Sequence, residues 1–222
     1  FYVNDRKPQH IIVDKRKIVQ KILTGLILIV FISGNTDAQN SSGLCWYLDY
    51  DLWVEAEYPD IHGIVPNSPD FNTGNELTME CWVRSYTFGL NMKIFGMLSE
   101  NFNDGYVLGF ENLHPYSEIF NPDKQEVPRT GDGPIPQDSA WVHLATTYSS
   151  TGQMINYLNG EEIGSITIFP QNPISESTEP FIIGRAPWGF SWAFNGDIDE
   201  IRIWDVELSS DEIKANMFKE LS

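Results

Sequence analysis

Positive charge is scarce in this chain. Its 222 residues carry 14 Lys and Arg against 31 Asp and Glu, a net charge of −17. Residues 1–38 hold six of the basic groups (Arg6, Lys7, Lys15, Arg16, Lys17, Lys21) and three acidic ones (Asp5, Asp14, Asp37). That leaves 8 basic and 28 acidic groups in residues 39–222, or −20. A surface this negative repels phosphate backbones, so nucleic acid is excluded as a partner. Cysteine is nearly absent too, with Cys45 and Cys81 alone. Two isolated cysteines without nearby histidine spacing cannot build a zinc site. Export would permit a disulfide between them, and two buried free thiols acting as small apolar residues are the alternative.

Catalytic signatures are also missing. Beyond residue 38 the histidines are His62, His114 and His143, and no Gly-x-Ser-x-Gly elbow accompanies them. His143 falls in the middle of an alternating segment and reads as a hydrogen-bonded structural residue. There is no glycine loop of the P-loop or dinucleotide-binding type. The apolar run Ile22–Ile32 spans 11 residues, short of the roughly 20 that a membrane-spanning helix needs. It follows Lys15-Arg16-Lys17 and Lys21 and precedes Thr36-Asp37-Ala38, a small-x-small cleavage pattern. Residues 1–38 are therefore expected to be a signal peptide with its flanking segment, and residues 39–222 a single domain, exported to the medium or the cell surface without a transmembrane anchor. The chain starts at Phe1, and its end close to the last helical segment is compatible with a larger multidomain parent.

What is present is a series of short strands. Glu76–Arg84 alternates, with Leu77, Met79, Cys81 and Val83 on one face and Thr78, Glu80, Trp82 and Arg84 on the other. Met92–Ser99 and Tyr106–Glu111 flank Asn103-Asp104-Gly105, a hairpin signal. Residues 112–139 contain five prolines and read as one long irregular loop with a short strand near Glu118–Phe120. Ala140–Tyr148 alternates again. Met154–Leu158 and Glu161–Ile168 flank Asn159-Gly160, a primed turn. Pro180–Gly184 and Asp197–Trp204 complete the strands. Ser209 with Glu212 forms a capping box that predicts a helix over residues 209–219. Many short strands and one terminal helix predict an all-β, antiparallel two-sheet sandwich of jelly-roll type.

Three segments occur in an order that resembles the laminin G-like jelly roll of the concanavalin A-like lectin and glucanase superfamily. The first is Pro66-Asn67-Ser68-Pro69-Asp70-Phe71-Asn72 leading into Glu76–Arg84. The second is Trp141-Val142-His143-Leu144-Ala145, then Tyr148, then Asn156-Tyr157-Leu158-Asn159-Gly160. The third is Ile182-Ile183-Gly184-Arg185, then Phe194-Asn195-Gly196-Asp197-Ile198-Asp199-Glu200-Ile201-Arg202-Ile203-Trp204, then Leu208-Ser209 and Glu212-Ile213. The resemblance covers about residues 43–219. It departs at the first strand, Trp46–Glu55, where the family's Asp-Gly turn is missing.

Some relatives in this superfamily degrade polysaccharides with carboxylates in an ExDxE strand, and no such pattern stands here. The resemblance therefore implies a non-catalytic binding module for a glycan or an extracellular protein; a sandwich glycosidase or lyase with an atypical site is the alternative. It also implies a structural Ca2+ held by Asp199 with Asp49 or Asp51. Trp46, Trp82, Trp141 and Trp204 lie in strands and are expected to pack. Trp188, Phe190 and Trp192 crowd one loop with Gly189. Aromatic walls with a few polar groups are how proteins hold sugars, so these rings, flanked by Arg185, Asn195 and Asp197, are the expected ligand site. The competing possibility is that they plug the end of the sandwich.

Overall fold

A computed structural model describes residues 63–86, 91–99, 104–120, 140–167, 173–187 and 192–219, together with the backbone of four short strands before them. Those four are β1 (Leu28–Ile29), β2 (Ser33–Gly34), β3 (Cys45–Leu48) and β4 (Leu52–Val54). Ten more strands follow: β5 (Gly63–Val65), β6 (Leu77–Ser85), β7 (Asn91–Leu98), β8 (Gly105–Glu111), β9 (His114–Ile119), β10 (Trp141–Tyr148), β11 (Gln153–Leu158), β12 (Glu161–Thr167), β13 (Phe181–Ile183) and β14 (Gly196–Trp204). One sheet has the order β1-β5-β13-β7-β8-β9. The other runs β12-β11-β10-β6-β14-β3-β2, with β4 also pairing β14. The pairings are antiparallel apart from β1 with β5. The expected two-sheet sandwich is therefore the observed fold.

The core lies between the sheets and is built by alternation. Leu77, Met79, Cys81 and Val83 of β6 meet Met92, Ile94, Phe95 and Met97 of β7 in one apolar cluster. Phe181 stacks between Phe71 (5.1 Å between centroids) and Phe95 (5.6 Å). Asn159 and Gly160 both take positive φ, as a primed hairpin turn requires.

Two expectations are corrected here. Residues His114–Ile119 form a regular strand, not part of a loop. Asn112 and Leu113 turn the chain with positive φ, and Pro115 is tolerated because β9 is the last strand of its sheet. The proposed Cys45–Cys81 bond does not fit either. β14 lies between β3 and β6, so two strand spacings of about 4.8 Å separate the backbones. That exceeds the roughly 7 Å a disulfide tolerates. Cys81 is a buried free thiol, and burial together with the nearby charges of Glu80 and Asp199 pushes its pKa well up, keeping it protonated.

The terminal helix α1 (Ser210–Asn216) begins with the expected capping box: the Ser209 side chain accepts from the Glu212 N–H, and Glu212 accepts from the Ser209 N–H. It ends earlier than the sequence pattern suggests, because the sheet takes its last carbonyls. The Trp82 indole donates to the Met217 carbonyl (2.7 Å), and Arg202 donates to the carbonyls of Asn216 (3.0 Å) and Lys219 (2.6 Å). These orphan carbonyls need donors, and a cation also suits the negative end of the helix. Ile213 packs with Ala145, Tyr157, Trp204 and Leu208, so the helix covers the outer face of the eight-stranded sheet.

Candidate functional site

The two outer faces differ in chemistry. Under the helix, Glu80 is fully buried with Arg202 and His143. Its carboxylate accepts from the Trp204 indole (3.0 Å) and Arg202 (3.4 Å), and lies 3.4 Å from His143 Nε2. Burial pushes the Glu80 pKa up, but the hydrogen bond and charge of His143, the charge of Arg202 and the Trp204 bond hold it below the usual value. This network joins β6, β10 and β14 and is closed over by the helix, so it serves the fold. His143 is thus structural, as expected.

The outer face of the six-stranded sheet carries the other cluster. Register between β7 and β8 shifts between Lys93 and Phe95, leaving Ile94 and Phe95 both in the core. This bulge re-aims the strand and puts Lys93 on the outer face, opposite Gly109, which is in turn opposite Tyr116. Lys93 and Glu118 are each only 3% exposed, and their charged groups lie 3.7 Å apart. The Lys93 ammonium sits 4.0 Å from the Tyr116 ring centroid and 5.1 Å from that of Trp192. A backbone bridge between Lys93 and Ala193 holds Trp192 in place. Beside these polar groups lie Ile182, Gly96, Val107 and Leu98. Gly109 is required: a Cβ there would meet the Met92 carbonyl oxygen at 2.2 Å and the Tyr116 ring at 3.1 Å.

A desolvated ion pair is a poor way to gain stability. Two aromatic faces around the ammonium offset part of that cost. Tyr116, Val107, Leu98 and Ile182 are each 5% exposed or less, so the half-buried Trp192 is the ring of this cluster that solvent reaches.

The structure distributes the sequence-predicted residues as follows. Trp192 belongs to this cluster. Arg185 and Asn195 are half-buried at the ends of the connection that delivers it. Gly184 anchors that connection, donating to the Ile94 carbonyl (2.7 Å) and accepting from the Phe194 N–H (2.8 Å). Trp188 and Phe190 lie outside the described residues. Asp197 is drawn away to the other sheet, where it accepts from Arg84 Nε (2.7 Å) and the Tyr86 hydroxyl (2.8 Å). Trp141, expected to pack, is 37% exposed and stacks on Arg84 at 5.0 Å. Lys93, Tyr116 and Glu118 were not foreseen. A lone lysine within the apolar stretch Met92–Leu98 was the available signal.

Asp199 occupies a bulge in β14, where Glu200 takes positive φ, and one of its oxygens accepts from the Glu200 N–H (2.8 Å). Among the described residues no three His, Cys, Asp or Glu side chains gather as a metal shell. Asp49 and Asp51 lie outside those residues.

The outer face carries two carboxylates on β8 and β9, Glu111 and Glu118. Glu111 is opposite His114, four residues from Glu118, hence about 13 Å along the strand. Glycosidase pairs stand roughly 5–10 Å apart, and Glu118 already pairs with Lys93.

Comparison with known proteins accords with the fold. The family model of the concanavalin A-like lectin/glucanases superfamily, laminin G type, matches residues 60–214. No curated protein sequence matches significantly. Domain 4 of AbnA, an extracellular arabinanase of Geobacillus stearothermophilus solved with arabinotriose, is 18% identical with a TM-score of 0.54, covering 83% of this chain and 86% of that one. A candidate carbohydrate-binding protein of Bacteroides ovatus is 20% identical with a TM-score of 0.58, covering 81% of this chain and 56% of that one. Botulinum neurotoxin type C, whose cell entry depends on two ganglioside molecules, is 14% identical with a TM-score of 0.51 over 86% of this chain and 46% of its own. This chain therefore spans about half of the latter two. Likeness at these identities establishes the shared fold. Among the described residues no helix is long and apolar enough to cross a membrane.

Proposed function

The chain belongs to the concanavalin A-like lectin/glucanases superfamily, and from that premise we propose that it is a non-catalytic, extracellular module that binds carbohydrate on the outer face of its six-stranded sheet. The observation that carries this reading is the half-buried Trp192 ring, seated on the buried Lys93 ammonium at 5.1 Å and flanked by the half-buried Arg185 and Asn195. Sugar C–H faces stack on such a ring, and the flanking Arg185 and Asn195 supply hydrogen bonds to hydroxyls. Binding of arabinotriose and gangliosides by structural relatives supports the ligand class. Among the described residues of this face, the separation of Glu111 from Glu118 disfavours the polysaccharide-degrading alternative.

The test is a glycan array with the full chain, followed by Trp192→Ala. Because Trp192 is half-buried, the variant is expected to lose at least about tenfold in glycan retention while its stability falls by less than about 2 kcal/mol. Retention that survives while stability collapses would assign the ring to packing.

A structural Ca2+ also belongs to the proposal. β3 ends at Leu48 opposite Ile201, and β4 starts at Leu52 opposite Ile198. These pairings bracket the Asp199 bulge with the residues that flank Asp49 and Asp51 in sequence, which supports joining the three carboxylates as oxygen ligands. Chelation with EDTA is expected to lower Tm, since a ligand that binds only the native state stabilises it. An unchanged Tm removes calcium from the proposal.

A further inference from the structure

We infer that the end of the eight-stranded sheet left uncovered by the helix is a second carbohydrate-contact surface; this rests on the glycan reading above and adds a site to it. The helix stops over Trp82, whose indole donates to the Met217 carbonyl (2.7 Å). Two residues farther along β6, Arg84 lies in a row with Trp141 of β10 and Asp197 of β14. Solvent reaches this row. Trp141 is 37% exposed, and Arg84, Tyr86 and Asp197 are half-buried. Phe218, 59% exposed, rests on Trp82 with 5.4 Å between centroids. Among the described residues, Trp141 and Phe218 are the large apolar side chains that stand exposed. Both belong to this face, and their supports Arg84 and Trp82 are about 7 Å apart along β6. Exposed apolar groups that cluster in this way mark an interaction surface.

Stability does not account for the arrangement, since a partly exposed ion pair contributes little and an exposed indole buries little apolar area. What the contacts do is fix geometry. Asp197 Oδ2 accepts from Arg84 Nε and Nη2 and from the Tyr86 hydroxyl. The Trp141 and Tyr86 rings lie 5.0 and 5.6 Å from the guanidinium carbon. Ring, guanidinium and carboxylate are therefore in place before a ligand arrives, which lowers the entropic cost of binding. A sugar C–H face covers the open part of the indole, and Arg84, Tyr86 and Asp197 at its margin meet hydroxyls. Phe218 extends the surface by one ring, which suits an extended chain. Trp192 and Trp141 lie on the outer faces of opposite sheets, with a core about 10 Å thick between those sheets. A short oligosaccharide cannot reach both, so one chain bridges two glycans.

Calorimetric titration of the full chain with the soluble oligosaccharide it retains best counts the sites, and light scattering with a long polysaccharide of the same repeat reads bridging. Two equivalents are expected, the one at Trp141 at least about tenfold weaker because it is the more open to water, together with growth of large assemblies. Trp141→Ala should leave the tighter equivalent alone and abolish the scattering; Trp192→Ala should leave the weaker one. Phe218→Ala should weaken the Trp141 equivalent by about fivefold, and it decides the matter if Trp141→Ala does not fold. A single equivalent, unchanged in Trp141→Ala and Phe218→Ala and lost in Trp192→Ala, overturns the second surface and leaves glycan binding at Trp192 standing. A single equivalent lost in Trp141→Ala and kept in Trp192→Ala upholds this surface and overturns the reading on the six-stranded sheet. No equivalent at all overturns both.

Discussion

Replacing Glu80 by alanine is expected to lower stability by about 3–5 kcal/mol, because breaking a buried ion cluster leaves uncompensated polar groups behind. Glu80 is fully buried and accepts from Trp204 and Arg202 while contacting His143. Alanine would deprive the Trp204 indole of its acceptor and leave Arg202, 1% exposed, to Glu200 and the helix-end carbonyls. Since Arg202 also ties down the end of the helix, proteolysis beyond residue 208 should accelerate in the variant. Denaturant unfolding measures the loss. The exposed Lys214–Glu161 pair (2.9 Å) provides the contrast: Lys214→Ala should cost less than about 1 kcal/mol.

The same network sets a pH dependence. The folded-state pKa of Glu80 is depressed, so its contribution is present above the unfolded value of about 4.5 and is lost as pH falls through the lower folded value. Glu207 acts in the opposite direction: burial, together with the Glu76 charge, raises its pKa. Its contribution is full below 4.5 and fades as pH rises through the folded value. Glu80 is the more deeply buried and the more heavily partnered, so Tm should fall on acidification below about pH 4.5. That fall should be blunted in Glu80→Gln. A wild-type Tm that is flat across this range would contradict the assignment.

Phe181→Ala is expected to cost about 3–5 kcal/mol, the usual consequence of removing a fully buried aromatic ring. The ring is wholly inaccessible and stacks with both Phe71 and Phe95, so the cavity would open between strands that cannot readily close on it. β13 also leads into the connection that carries Trp192, with Gly184 fixed between Ile94 and Phe194. Phe181→Ala should therefore lose stability and glycan retention together, whereas Trp192→Ala should lose mainly retention. Equal behaviour of the two variants would mean that Trp192 is a core residue.

The fold was legible because strand alternation is a local signal. Leu77, Met79, Cys81 and Val83 could be assigned to the core from spacing alone, as could the turn at Asn159-Gly160 and the helix start at Ser209. β9 was hidden because Leu113 at positive φ and Pro115 both contradict local strand chemistry; only its position at the sheet edge makes them acceptable. The site was legible in one part. Trp192 stood out as an aromatic in a crowded loop, but its partners Lys93, Tyr116 and Glu118 come from three registers on two other strands. Whether Lys93 faces in or out depends on a one-residue bulge that no period-two reading can foresee. Likewise, Asp197 was adjacent to the loop in sequence, yet its strand turns it towards Arg84 and Tyr86 on the other sheet.

The most direct test of a ligand on the six-stranded sheet is an NMR titration of the full chain with the glycan it retains best. The Trp192 indole and the amides of Lys93, Gly109, Tyr116 and Glu118 should shift together and saturate with one dissociation constant. Shifts confined instead to β10, β11 and β14, around Trp141 and Arg84, would place the ligand on the opposite sheet and contradict the site proposed here.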